Sequence, residues 1–243
     1  MRFLLLFAFS FCLLVSQQVA AQPGTITTIQ KISESQGAFT DTIGIADEFG
    51  HGFTSIGDIN NDGIPDMAVG APGHDDDGTN TGSIFVLRMN ADGTVKAQQE
   101  INETFGGFNY NLQHGYYLGT SLAGIGDLNQ DGVPDLVAGC EALNNNRGGV
   151  FILFLDSSGS VVSHQEISTS VGNFGGSLVA NDHLGTSVAN IGDLDGDGVT
   201  DIVVGADGID DGNVGRGGAY IIFLNTDGTA KGEQRISQLQ GGL

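Results

Sequence analysis

The chain has 243 residues, a net charge of −21 at pH 7, 40 glycines, four prolines and no tryptophan. So acidic a chain is repelled by nucleic acid and by anionic membranes, which excludes both as expected partners and favours a protein that binds cations. Many glycines with few prolines predict tight turns between short strands, and they exclude collagen and long helices.

The N-terminus has the layout of a secretory signal peptide. Arg2 is a short positive start, Phe3 to Val15 form a nearly continuous apolar run, and Val19-Ala20-Ala21 is a small-residue cleavage site. The run is shorter than the about 20 residues that span a bilayer. We therefore expect residues 1–21 to be removed and the mature protein to be secreted, with no membrane insertion. Only Cys140 remains after this cleavage, so no intramolecular disulfide is expected.

The rest of the chain contains three copies of one repeat. Each copy runs through a first strand of small and apolar residues, an acidic loop, a second apolar strand, a variable loop, a third apolar strand, a tight turn and a more polar fourth strand. Four antiparallel strands in series with glycine-rich corners predict an all-β fold built from β-propeller blades. We place the blades at 22–104, 105–170 and 171–237, and the start of a further repeat at 238–243.

The two inner strands of each repeat are the clearest elements. The second strands are predicted at 67–71, 136–140 and 202–206, and the third strands at 83–89, 149–155 and 218–224. No segment has a sustained apolar period of 3.6 residues, so no long helix is predicted.

The acidic loop has the spacing of a calcium site. Its nine residues follow Asp-x-(Asn/Asp)-x-Asp-Gly-x-x-Asp, which places side-chain oxygens at positions 1, 3, 5 and 9 and a glycine at the sharp turn. Position 7 would add a backbone carbonyl. Oxygen donors without nearby histidine or cysteine favour calcium over zinc, and magnesium prefers stricter octahedral geometry. We predict about three calcium sites, one per repeat, with these ligands: Asp58, Asn60, Asp62, Ile64 and Asp66; Asp127, Asn129, Asp131, Val133 and Asp135; Asp193, Asp195, Asp197, Val199 and Asp201.

Two other structural motifs share part of the acidic-loop pattern. An EF-hand needs a glutamate at position 12 and flanking helices, but position 12 is Val69, Ala138 or Val204 in a strand-like run. Asp-Gly clusters also form ordinary turns. Three copies with identical spacing favour the metal site, and because no basic residue lies within the loops, calcium is the simplest expected counter-charge.

Two short signatures flank each acidic loop. Phe49-Gly50 and Gly70-Ala71-Pro72 lie 21 residues apart in the first repeat, and their counterparts keep that separation: Leu118-Gly119 with Gly139-Cys140-Glu141, and Leu184-Gly185 with Gly205-Ala206-Asp207. The repeat resembles the FG-GAP repeat of integrin α subunits. The resemblance implies that the calcium loops join the first two strands of each blade at one face of a propeller. It also implies extracellular recognition or adhesion, through a protein or glycan ligand.

The number of repeats departs from the family pattern. Propellers close with about four to eight blades, and three are present here. We therefore expect that the chain is a fragment of a longer protein, or that it closes by self-association.

The sequence contains no catalytic constellation that repeats or converges, so a non-enzymatic module is expected. The alternative is the propeller portion of a larger secreted enzyme, such as a phospholipase D-type hydrolase, whose catalytic domain is absent from this chain. Cys140 is expected to be a buried spacer. The histidines are expected to be solvated loop residues: His51, His74, His114, His164 and His183. The variable loops are the best candidates for partner contact: 74–81, 141–147 and 207–215.

Overall fold

The computed structural model describes residues 26, 28–74, 79–210 and 215–241. Within these ranges the named strands form three four-stranded antiparallel sheets, each with its strands in chain order, which confirms the predicted all-β fold. The predicted signal peptide, parts of two variable loops and residues 242–243 lie outside the described residues. The described part contains no helix that is both long and apolar enough to cross a membrane.

The three sheets are the three predicted blades. Blade 1 comprises β1 (Phe53–Gly57), β2 (Asp66–Ala71), β3 (Ser83–Met89) and β4 (Val95–Ile101). Blade 2 comprises β5 (Leu118–Gly126), β6 (Asp135–Cys140), β7 (Gly149–Leu155) and β8 (Val161–Ser168), with the short turn α1 (Leu143–Asn146) between β6 and β7. Blade 3 comprises β9 (Leu184–Gly192), β10 (Asp201–Ala206), β11 (Gly218–Leu224) and β12 (Ala230–Ile236).

Apolar side chains are buried between consecutive blades. Ile56 and Ile59 of blade 1 belong to one hydrophobic cluster with the inner strands of blade 2, and Leu128 lies in the equivalent cluster between blades 2 and 3. These side chains are at most 4% exposed. The equivalent residues of blade 3 have no covering sheet in the described structure, so Ile191 is 37% exposed and Leu194 55%.

The glycines of the two signatures meet across the blade junctions. A Cβ atom on Gly70 of β2 would overlap the carbonyl oxygen of Gly119 at the start of β5, and one on Gly139 would overlap the carbonyl oxygen of Gly185. Gly119 also has a φ of +89°, in the region that favours glycine. At Gly205, the equivalent position in blade 3, the nearest atom belongs to the side chain of Ser187 in the same sheet. Both signatures therefore allow backbones of neighbouring blades to touch.

The first two variable loops end in backbone hydrogen bonds to the next blade. The N–H of Leu118 donates to the carbonyl of Thr81 at 3.0 Å, and the N–H of Leu184 donates to the carbonyl of Arg147 at 2.9 Å. The ends of these loops are thus fixed parts of the blade junctions.

A glycine turn after each fourth strand holds the fourth strand of the following blade. The carbonyl of Gly106 accepts a hydrogen bond from Val161 N–H, and that of Gly172 accepts one from Ala230 N–H, both at 2.8 Å. Gly37 has the same contact with Val95 N–H, although the segment before it is not a strand of any described sheet. The same junction geometry therefore occurs at all three blades.

Candidate metal centres

Each acidic loop joins the first two strands of its blade and wraps around its first aspartate. One oxygen of Asp58 accepts the N–H of Asp62 at 3.0 Å, and the other accepts the N–H of Gly63 at 2.7 Å. Asp127 and Asp193 make the same two hydrogen bonds to positions 5 and 6 of their loops. The repeated sequence therefore folds into one loop conformation three times.

The last aspartate of each loop is buried and fixes the loop to the third strand. One oxygen of Asp135 accepts the N–H of Leu128 at 2.9 Å, and the other accepts the N–H of Leu155, at the end of β7, at 3.2 Å. Asp66 and Asp201 have equivalent pairs of partners. Burial raises the pKa of Asp66 and raises that of Asp135 to about 6, against the lowering effect of these N–H donors. Each of these carboxylates thus joins its loop to the end of the third strand.

The third loop brings three carboxylates together at the surface. One oxygen from each of Asp193, Asp195 and Asp197 lies within 4.8 Å of the others. All three residues are exposed, which suits a cation that enters from solvent. Asn60 and Asn129 replace the middle aspartate in the other two loops, and an amide oxygen is also a calcium ligand. The donor sets fit calcium, while coordination by each of the predicted ligands stays a prediction.

No basic residue lies within the loops, but lysines of the fourth strands contact two of them. Lys96 of β4 reaches the first loop, where its Nζ lies 2.7 Å from Oδ2 of Asp62. Lys231 of β12 contacts Asp195 at 2.6 Å and also contacts Asp197. Hydrogen bonds from the two lysines hold the pKa values of Asp62 and Asp197 below the ordinary range. Each lysine lies 34 residues after the fifth residue of its loop, so the loop sequence alone does not reveal it.

The expectation of solvated histidines is wrong for His74 and His164. His74 is 5% exposed, and its ring nitrogens lie 2.6 Å from an Asp47 oxygen and 3.2 Å from a Glu100 oxygen. Burial raises the pKa of Glu100, but hydrogen bonds led by that from His74 outweigh it, so the pKa lies below its usual value. His164 packs against Phe108, and burial lowers its pKa.

Cys140 is buried, as predicted. Its side chain is fully covered, its Sγ lies 3.1 Å from the carbonyl oxygen of Tyr116, and burial raises the pKa of the thiol. A thiol held in this state is a poor nucleophile, because the thiolate is the reactive form.

The loop and its flanking strands match a known repeat. A model of the FG-GAP repeat matches residues 52–87, a range that runs from β1 through the first acidic loop into β3. The chain belongs to the FG-GAP repeat family. The three sheets described above are therefore FG-GAP blades, and the junction glycines are the glycines of the FG and GAP signatures.

The FG-GAP chain is similar to two groups of larger proteins. It is 31% identical to human integrin alpha-11 over 175 residues, which cover 67% of this chain and 13% of that protein. It is 28% identical to bovine phosphatidylinositol-glycan-specific phospholipase D over 118 residues, which cover 46% of this chain and 14% of that protein. Mouse integrin alpha-M is 33% identical over 93 residues, 38% of this chain and 8% of that protein. The aligned part of this chain is thus a small share of each relative.

Proposed function

We propose that the chain is an extracellular recognition module whose FG-GAP blades are stabilised by calcium. The observation that carries the proposal is the conformation of the acidic loop, which is the same in all three blades and converges on oxygen donors. The similarity to integrin alpha-11 and integrin alpha-M supports a recognition role over a catalytic one.

Calcium in these loops would act on stability. The first aspartate of each loop bonds to the loop backbone, and the last aspartate bonds to the end of the third strand. A cation bound by both aspartates would therefore hold the loop against the third strand of the same blade. Extracellular calcium modules bind with dissociation constants of about 10⁻⁴–10⁻³ M. At millimolar calcium each site would then contribute roughly 0.4–1.4 kcal/mol, and three sites roughly 1–4 kcal/mol. That is a substantial part of the 5–15 kcal/mol typical of a folded domain.

The partner would be a protein or a glycan that contacts loops between the second and third strands. Loop 141–147 of blade 2 presents the exposed Asn145 and Asn146, while the half-buried Asn144 donates to Glu166 and Ser168 of the same blade. In blade 3 the described part of the loop presents the exposed Asp207 and Asp210. Loops on a rigid scaffold usually carry recognition.

Thermal unfolding of the chain with calcium, with magnesium and with chelator tests the calcium part. We expect calcium alone to raise the melting temperature, and calorimetry to give a stoichiometry near three. A folded sample with no binding heat and no shift would show that the loops are only turns.

Glycan and protein arrays test the recognition part. We expect glycine substitutions at the exposed Asn145 and Asn146, whose positive φ values glycine adopts without strain, to abolish binding of a captured ligand without lowering the melting temperature. Unchanged binding would remove these loops from the recognition surface.

A second candidate is the propeller portion of a larger secreted enzyme. The identity to phosphatidylinositol-glycan-specific phospholipase D favours it. Hydrolysis would then belong to residues beyond this sequence, and the role of the blades would still be structural or recognitive. A hydrolase domain in the coding sequence adjoining this chain would favour the second candidate over the first.

A further inference from the structure

The three acidic loops differ in what lies beside them on the fourth strand. The second residue of that strand is Lys96 in β4, Val162 in β8 and Lys231 in β12. The first and third blades thus place an ammonium group on the loop, and the second blade places an apolar side chain that is 60% exposed.

The lysines contact one particular carboxylate oxygen. Position 5 of every loop uses its Oδ1 to accept the N–H of position 7. In the first and third loops the remaining Oδ2, on Asp62 and Asp197, faces the lysine. In the second loop Oδ2 of Asp131 accepts the neutral side-chain amide of Asn129 at 2.8 Å. A cation in the first or third loop must therefore share this oxygen with an ammonium group or displace it.

We propose that Lys96 and Lys231 are built-in counter-ions that compete with calcium, so that the second loop is the open site and the other two are attenuated. This inference rests on the proposed function, because it concerns the same three loops. The lysines partly neutralise their loops without metal, and they reduce the gain in stability when calcium binds. The position of a single side chain thus sets how each blade responds to calcium.

Loops 1 and 2 form a matched pair within the molecule. Both have aspartate at positions 1, 5 and 9 and asparagine at position 3, so their donor types are equal and only the neighbouring residue differs in charge. An ammonium group displaced to about 6–12 Å from a divalent ion in water changes the affinity for that ion by roughly three- to tenfold. We expect loop 2 to bind calcium more tightly than loop 1 by about this factor, and the ratio to shrink as salt screens the lysine.

Hydrogen exchange of the full chain measures each loop separately. The N–H groups of Gly63, Gly132 and Gly198 donate to the first aspartates, so peptides that contain them report loop order as calcium is titrated. The variants are Lys96→Gln, Val162→Lys and the uncharged control Val162→Gln. We expect Lys96→Gln to tighten loop 1 by about three- to tenfold, Val162→Lys to weaken loop 2 by a similar factor, and the control to change neither.

Melting temperatures with chelator and with calcium test the competition independently. Lys96→Gln should lower the melting temperature in chelator and enlarge the calcium-induced rise, whereas Val162→Lys should do the reverse. A lysine that merely packs against its loop would shift both conditions equally. Protection of all three loops at one calcium midpoint, unchanged in Lys96→Gln and Val162→Lys, would overturn the competition and leave the calcium sites standing. Absence of calcium-dependent protection at every loop would overturn the sites themselves and the competition with them.

Discussion

Replacing Gly70 by alanine should push blades 1 and 2 apart. The added Cβ would lie 2.9 Å from the carbonyl carbon and 3.2 Å from the Cα of Gly119, and it would overlap the carbonyl oxygen. Carbon atoms in contact normally lie about 3.5–4.0 Å apart, so the two backbones must separate by up to about 1 Å. Neither group can rotate away, because both belong to strands that are paired within their own sheets.

The magnitude follows from two opposing effects. Overpacking of this kind costs about 1–3 kcal/mol. Alanine recovers about 0.5–1 kcal/mol, because glycine loses more backbone entropy when it folds into a strand. The clash is with backbone alone, so we expect the upper part of the first range and a net loss of about 2 kcal/mol. For a chain of this size that lowers the melting temperature by about 4–8 °C.

Gly205→Ala is the matched control. Its nearest neighbour is the Ser187 side chain, which can rotate, and no second sheet covers this position in the described structure. We expect Gly205→Ala to be neutral or to gain up to about 1 kcal/mol. Differential scanning calorimetry of the two variants in the same buffer is the assay. Equal shifts would refute the idea that the junction glycines act through contact between blades.

Three further outcomes follow from the buried groups. His74→Leu should cost about 3–5 kcal/mol at pH 7, because it leaves buried carboxylates without their hydrogen-bond donor. The lowered pKa of Glu100 contributes stability above its ordinary pKa of 4.5, and that stability is lost as pH falls through the lower folded value. The cost measured by urea unfolding should therefore shrink as pH falls below 4.5, and a constant cost would contradict the pairing. Cys140 should react with a thiol reagent only in denaturant, and rapid labelling of the native chain would show that the junction opens. Leu128→Ala should cost about 2–5 kcal/mol and Leu194→Ala under 1 kcal/mol, and equal costs would show that both leucines are covered in solution.

The strands could be predicted from the sequence because the same strand pattern occurs in all three repeats. The third strands fall at 83–89, 149–155 and 218–224, as predicted, since branched and aromatic residues run unbroken between two turn signals. The acidic loops were equally clear, because the spacing of aspartate and glycine dictates the local backbone. Contacts within one loop or one hairpin are short in sequence, and such contacts are the ones that a pattern reveals.

What the sequence did not reveal are contacts between separate elements. The fourth strand reads as a polar edge, and nothing in its pattern places Lys96 or Lys231 beside a loop, yet the strand pairing brings both over the acidic loops. The burial of His74 could have been predicted from the repeat, because His74 aligns with Leu143 and Ile209, which are buried in the other two blades. Its carboxylate partners could not be found, since Asp47 lies in the segment that precedes the first strand.

The glycine turns between blades also define where the molecule can be divided. The segments from Gly37 to Gly106 and from Gly106 to Gly172 each begin at a turn that clamps the coming fourth strand and end at the next such turn. Each of these segments therefore contains one whole four-stranded sheet together with the turn that holds its fourth strand. A segment cut at these glycines would contain one glycine turn and the fourth strand to which that turn is hydrogen-bonded. Segments joined at these glycines would lengthen or shorten the array of blades, and every blade would keep the hydrogen bond between its glycine turn and its fourth strand.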